Sequence, residues 1–216
     1  MNKKRIIWLV PVLVMAFAMS ACKSDDNSGG GIGKNLSFSG ELVYTKATTL
    51  YSGPDIPFTS NAGSSGLITG TSGKMTFSIG TPSSSRLIPI ETFIMDSTSK
   101  LDGGLNIMPR AEYTGGTKII ILDFSSITLN KVLKSETVEQ TVLYIYVDRD
   151  CEIKASGIPP VNSGGGTVNV SNFKLDLKRG WNAVTRMLMT TTAGRTLVIG
   201  TSDAADLKNC KWVLEQ

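Results

Sequence analysis

From residue 36 onward the chain is written in short apolar segments of period two, each closed by glycine, proline or a polar turn. Side chains alternate between the two faces of a strand, so this pattern confines the chain to β-structure. Leu36, Phe38, Gly40, Leu42 and Tyr44 alternate with Ser37, Ser39, Glu41, Val43 and Thr45, which predicts a first strand. Residues 47–72 read as loop, with Gly53-Pro54 and a Ser/Gly run from Ser60 to Gly66; 74–79 read as a second strand, ended by Gly80 and Pro82. Residues 86–95 suit a short amphipathic helix as well as a strand, with Pro89 in the first turn of such a helix. Further strands are expected at 118–124, 141–147, 151–155, 167–177, 183–191, 196–201 and 211–214. A polar connection at 125–139 has room for one helical turn, and Pro159-Pro160 with Gly164-Gly165-Gly166 marks a loop at 157–166. Without alternating long helices, the series predicts an all-β fold, an antiparallel β-sandwich with a barrel-like alternative. Residues 36–216 suffice for one core and form one expected domain; two small β-modules are the alternative.

The first 21 residues carry a different signal. Lys3, Lys4 and Arg5 precede an apolar run from Ile6 to Ala18, followed by Met19-Ser20-Ala21-Cys22. The run is short of the roughly 20 residues of a bilayer span, and Pro11 interrupts it. The arrangement resembles a bacterial lipoprotein signal peptide (1–21), with Met19 where leucine is usual. That resemblance implies that Cys22 is acylated, with palmitate-type chains, and becomes the mature N-terminus, held on the outer membrane. The competing reading is an ordinary secretory signal cut near Ala21. Residues 22–35 are polar and Gly/Ser-rich, the composition of a flexible tether. Lys23-Ser24-Asp25-Asp26 is similar to the short export tag of Bacteroidetes surface lipoproteins, which implies display at the cell surface.

Charge and composition exclude several functions. The chain has 22 basic and 18 acidic residues; setting aside Lys3, Lys4 and Arg5 leaves 19 against 18, so the mature part is nearly neutral. With no basic patch interleaved with aromatics, nucleic acid is not an expected partner. Histidine is absent, which removes Ser-His-Asp and Cys-His catalysis and His-based zinc sites. With Cys22 assigned to lipid, Cys151 and Cys210 remain, either a disulfide in an exported protein or two buried free thiols.

Two segments carry a second resemblance. Val142-Leu143-Tyr144-Ile145-Tyr146-Val147-Asp148-Arg149-Asp150-Cys151-Glu152-Ile153 precedes Phe173-Lys174-Leu175-Asp176-Leu177-Lys178-Arg179-Gly180-Trp181-Asn182-Ala183-Val184. The pattern is similar to uncharacterised lipoproteins of Bacteroidetes and spirochaetes, and implies location and a β fold without an activity.

Read for themselves, Gly180 supplies a positive φ at a turn, Trp181 turns into the core and Asn182 bonds the turn backbone. The alternative is that Trp181 and Trp212, with Tyr51 and Tyr113, stack on a ligand such as a sugar ring. Asp148, Asp150 and Glu152 share a face if their strand is unbroken, but no calcium loop accompanies them, and Lys154, Arg149 or Lys174 can neutralise them. Glu91, Asp96, Asp102, Glu112 and Asp123 are the carboxylates available to a hydrolase, with no spacing that selects a pair. The expectation is a non-catalytic, lipid-anchored surface lipoprotein serving binding, adhesion or envelope assembly, without cofactor or metal. A glycan-binding accessory module of a nutrient-uptake system is the alternative, and a carboxylate-dependent hydrolase the third reading.

Overall fold

The computed structural model describes residues 32–44, 50–71, 73–95, 100–107, 110–163, 165–202, 207 and 210–215. Residues 1–31, which hold the expected signal peptide, Cys22 and most of the expected tether, therefore lie outside the described residues. The fold is all-β, and among the described residues no closed barrel forms. Its strands are β1 (Leu36–Tyr44), β2 (Ile56–Thr59), β3 (Ser65–Thr71), β4 (Lys74–Ile79), β5 (Ile88–Pro89), β6 (Glu112–Tyr113), β7 (Lys118–Ile121) and β8 (Thr128–Lys134). They continue with β9 (Val138–Val147), β10 (Cys151–Ala155), β11 (Val161–Ser163), β12 (Gly166–Leu177), β13 (Gly180–Thr191), β14 (Gly194–Thr201) and β15 (Lys211–Glu215). One short helix, α1 (Ile90–Met95), follows β5, so the ambiguous segment resolves into both readings with Pro89 just ahead of the helix.

The strands join in the order β2-β3-β4-β1-β15-β8-β9-β13-β14-β12-β10-β6, with β7 on β9, β5 on β7 and β11 on β12. Most pairings are antiparallel, as expected, but β1 runs parallel to β15 and β12 parallel to β14. The second parallel pair arises because β14 inserts between β12 and β13. Residues 178–179 must therefore pass the end of β14, a width of about 10 Å at the usual strand spacing. No ladder holds that link, and Asn182 does so instead. Its carboxamide accepts the Lys178 N–H (2.9 Å) and donates to the carbonyls of Lys178 (2.8 Å) and Gly180 (3.0 Å).

The pair β9–β13 is a wall with a core on each face. In register, Tyr146 opposes Trp181 and Tyr144 opposes Ala183. These side chains join the first core, with Leu36, Phe38, Leu42, Phe58, Phe77 and Trp212 from β1, β2, β4 and β15. The alternate positions Ile145, Val147 and Val184 join the second core, with Ile153, Phe173, Leu175, Leu197 and Ile199 and the buried side of α1. Alternation along one strand pair thus serves two lobes, which is why residues 141–147 read as an apolar run with weak periodicity.

Two ties close the lobes where strand pairing stops. After β7, Phe124 bridges Ser60, with the amides of Asn61 and Ser125 donating to Asp123 and Thr59 carbonyls (3.0 and 2.9 Å). At the start of the domain Gly33 bridges Trp181: the Trp181 amide donates to Gly33 (2.9 Å) and the Ile32 amide to Trp181 (2.7 Å).

Several expected loops are strands. Residues 47–72 contain β2 and β3, 125–139 contain β8, and 157–166 contain β11. β2 and β3 lie at one end of the strand order, where Pro57 is tolerated and Gly66 keeps its backbone close to the Phe58 ring.

Candidate functional site

The first lobe ends in an open cleft of about 690 Å³, within the range of small-ligand sites. Four separate segments build it. Tyr44 closes β1, and Leu214 and Glu215 close the parallel neighbour β15. Tyr51, Pro54 and Ile56 come from the segment leading into β2, and Phe124 to Thr128 from the connection between β7 and β8.

Each wall is fixed by backbone bonds. The Tyr51 amide donates to the Leu42 carbonyl (2.8 Å), which holds the leading segment against β1. The Tyr51 hydroxyl donates to the Pro54 carbonyl, and the ring passes so close to Gly53 that a side chain there would overlap it. The Tyr44 and Tyr51 rings lie 5.3 Å apart, tilted by 54°. Phe124 packs edge-on against Phe58 (5.9 Å) and Phe77 (5.7 Å), which ties the cleft to the first core. Opposite, Ser126 Oγ accepts the Thr59 amide (3.0 Å), and Glu215 accepts from the Asn130 side chain (3.1 Å). Burial pushes the Tyr51 phenol up, and the neighbouring Tyr44 and the Asp55 carboxylate push it further. The cleft is a mixed surface in which aromatic and aliphatic side chains meet serine and threonine hydroxyls and one carboxylate, Glu215. Among its lining residues no two carboxylates form a pair.

Apart from Tyr51, the residues singled out from sequence lie elsewhere. Trp181 is 0% and Trp212 2% exposed, so neither stacks on a ligand. Trp181 packs on Tyr146 and its indole donates to the Gly80 carbonyl (3.3 Å); Trp212 is enclosed by Phe38, Phe77 and Tyr144. In a β-domain of this size an indole is worth more as buried area than as surface. Of the two tyrosines, Tyr51 lines the cleft while Tyr113 is exposed on β6.

No disulfide joins Cys151 and Cys210. Cys151 packs in the second core and Cys210 against the first, so the shared wall separates them. Burial raises the Cys151 thiol above its ordinary range, although the Thr117 hydroxyl bond opposes this.

The strand carrying Asp148, Asp150 and Glu152 is interrupted between β9 and β10, and each carboxylate is engaged separately. Asp148 accepts the Lys118 amide (2.9 Å) and lies 3.4 Å from Arg149; Asp150 accepts the Arg179 amide (2.8 Å). Glu152 lies between Lys174 (3.1 Å) and Lys154 (3.4 Å), and the Lys174 bond holds its carboxyl below the usual range.

The hydrolase candidates are equally dispersed. Asp123 pairs with Lys100 (2.6 Å), Glu112 with Lys154 (3.7 Å), and Glu91 accepts the Gly116 amide (3.3 Å). Asp102 is buried and caps the amides of Gly104 (2.9 Å) and Ile107 (2.8 Å), while Asp96 lies outside the described residues. Among the described residues, no group of three or more His, Cys, Asp or Glu side chains is placed to hold a metal ion.

Sequence reading missed the cleft. Gly53-Pro54 signals a turn there, but Tyr44 and Leu214 meet only through the non-local pairing of the first and last strands, and Phe124 arrives through its bridge to Ser60. Comparison with protein-family models, curated proteins and solved structures finds no match to this chain.

Proposed function

We propose that the protein is a non-catalytic, lipid-anchored lipoprotein of the bacterial outer membrane that presents its β-domain at the cell surface for binding, with the cleft of the first lobe as the binding site. The observation that carries this reading is Met19-Ser20-Ala21-Cys22, placed after a basic start and a short apolar run and ten residues before the first described residue, Ile32. Ten residues span at most about 36 Å, so an anchor on Cys22 keeps the domain near the membrane. The cleft lies at the other end of β1 from the Gly33–Trp181 tie, about 26 Å along the eight steps from Leu36 to Tyr44. That separation supports a cleft held away from the anchored end of the domain. A glycan site built on Trp181 and Trp212 is disfavoured, because both indoles are buried.

Mass spectrometry of the mature protein tests the anchor. A diacylglyceryl, N-acylated Cys22 at the N-terminus, lost in Cys22→Ala, is the expected result. An unmodified N-terminus elsewhere in residues 19–24 would overturn it. Protease treatment of intact cells tests display: the domain should be shaved while periplasmic controls survive.

A further inference from the structure

The cleft also has a sign. Among its lining residues the only one charged at neutral pH is Glu215. Aromatic walls and carboxylates together form the setting in which an organic cation is favoured over a neutral or anionic molecule. Ring faces attract the cation through their quadrupoles, and carboxylates attract it directly. The two rings available are those of Tyr44 and Phe124, both half-buried, whereas Tyr51 is buried.

We propose that the cleft binds a small soluble alkylammonium compound, its alkyl groups against the half-buried rings of Tyr44 and Phe124 and its charge toward Glu215. The proposal rests on the cleft being the binding site, and extends it to a ligand class. A volume of about 690 Å³ exceeds a bare trimethylammonium group, so the ligand carries further atoms toward the open side, where Ser125, Ser126 and Thr128 offer hydroxyls. Glu215 suits the role because its carboxylate already has one neutral donor, the Asn130 amide, and retains acceptor capacity for a charged partner.

The test uses choline and 3,3-dimethyl-1-butanol, which share a shape and differ by one charge, titrated by calorimetry into the full chain in non-ionic detergent. Choline should bind about tenfold more tightly than the alcohol. Glu215→Gln should remove most of that ratio while leaving alcohol binding unchanged. This exposed strand-end substitution retains the amide's hydrogen-bonding oxygen, so the variant should fold, as circular dichroism will show. Equal affinities, tighter binding of the alcohol, absence of saturable choline binding, or an unchanged ratio in Glu215→Gln would each overturn the proposal. Binding of the alcohol alone would keep the cleft as a site while removing the cation. The mass of the mature N-terminus is independent of these outcomes, so anchoring stands or falls separately.

Discussion

Gly180 is the position where one methyl group should cost most. Its φ is +105°, and a Cβ there would stand 2.7 Å from the Gly33 carbonyl oxygen. Backbone strain for a non-glycine residue in such a conformation is about 1–3 kcal/mol. Displacing Gly33 also loses its bond from the Trp181 amide and weakens the bond from the Ile32 amide, about 1 kcal/mol each. Gly180→Ala should therefore destabilise the protein by about 3–5 kcal/mol. Gly33→Ala is the internal control. Its φ is +107°, yet a Cβ there meets nothing within 4 Å, so only the strain of about 1–3 kcal/mol applies. Urea unfolding followed by circular dichroism measures both losses, and hydrogen exchange at the Trp181 amide reports the contact itself. The expected result is a gap of about 2 kcal/mol, with Trp181 exchanging faster in Gly180→Ala than in Gly33→Ala. Equal losses and equal exchange would refute the reasoning, since the clash would then have been absorbed without breaking the tie.

Other consequences are as direct. Asn182→Ala leaves the Lys178 amide and the Lys178 and Gly180 carbonyls without their side-chain partner, and should lower stability by about 3 kcal/mol in the same urea assay. In the native protein Cys151 should resist alkylation while Cys210 reacts first, and non-reducing mass spectrometry should count both as thiols; a protected pair would contradict the separation of the two cores. Burial pushes the Tyr144 phenol far up, so the neutral form is favoured in the fold. Its contribution is present below the unfolded value of about 10 and is lost as pH rises above it. Urea midpoints measured above that pH should fall less steeply in Tyr144→Phe than in the wild type, and identical slopes would exclude the effect.

Local chemistry was legible where a strand's own residues decide it. Residues 74–79 and 151–155 match β4 and β10, and Gly180-Trp181-Asn182 does in the structure what its residue types suggest. Strands whose stability comes from neighbours were not legible. Ile56–Thr59 contains a proline and Ser65–Thr71 two glycines, so both read as turn until β4 and the Phe124 bridge are present. Thr128–Lys134 looked polar because its partners β15 and β9, not its own composition, place it. The cleft was hidden for a stronger reason: β1 and β15 pair across almost the whole domain, and no local pattern announces a parallel pair. Trp181 and Trp212 misled in the opposite direction, since residue type favours burial and stacking alike and only packing decides between them.

The Gly33–Trp181 bridge finally has a mechanical meaning. In the anchored protein proposed above, any tension along the chain from residue 22 arrives at Ile32 and Gly33 and meets two backbone hydrogen bonds to Trp181 before it can act on β1. Trp181 belongs to the wall that both lobes share, and its indole is held by Tyr146 and the Gly80 carbonyl. The bridge is thus a fuse in series with the fold: together with the Ile32 contact on the first core it takes the load before β1, and the second core stays unloaded until it has opened.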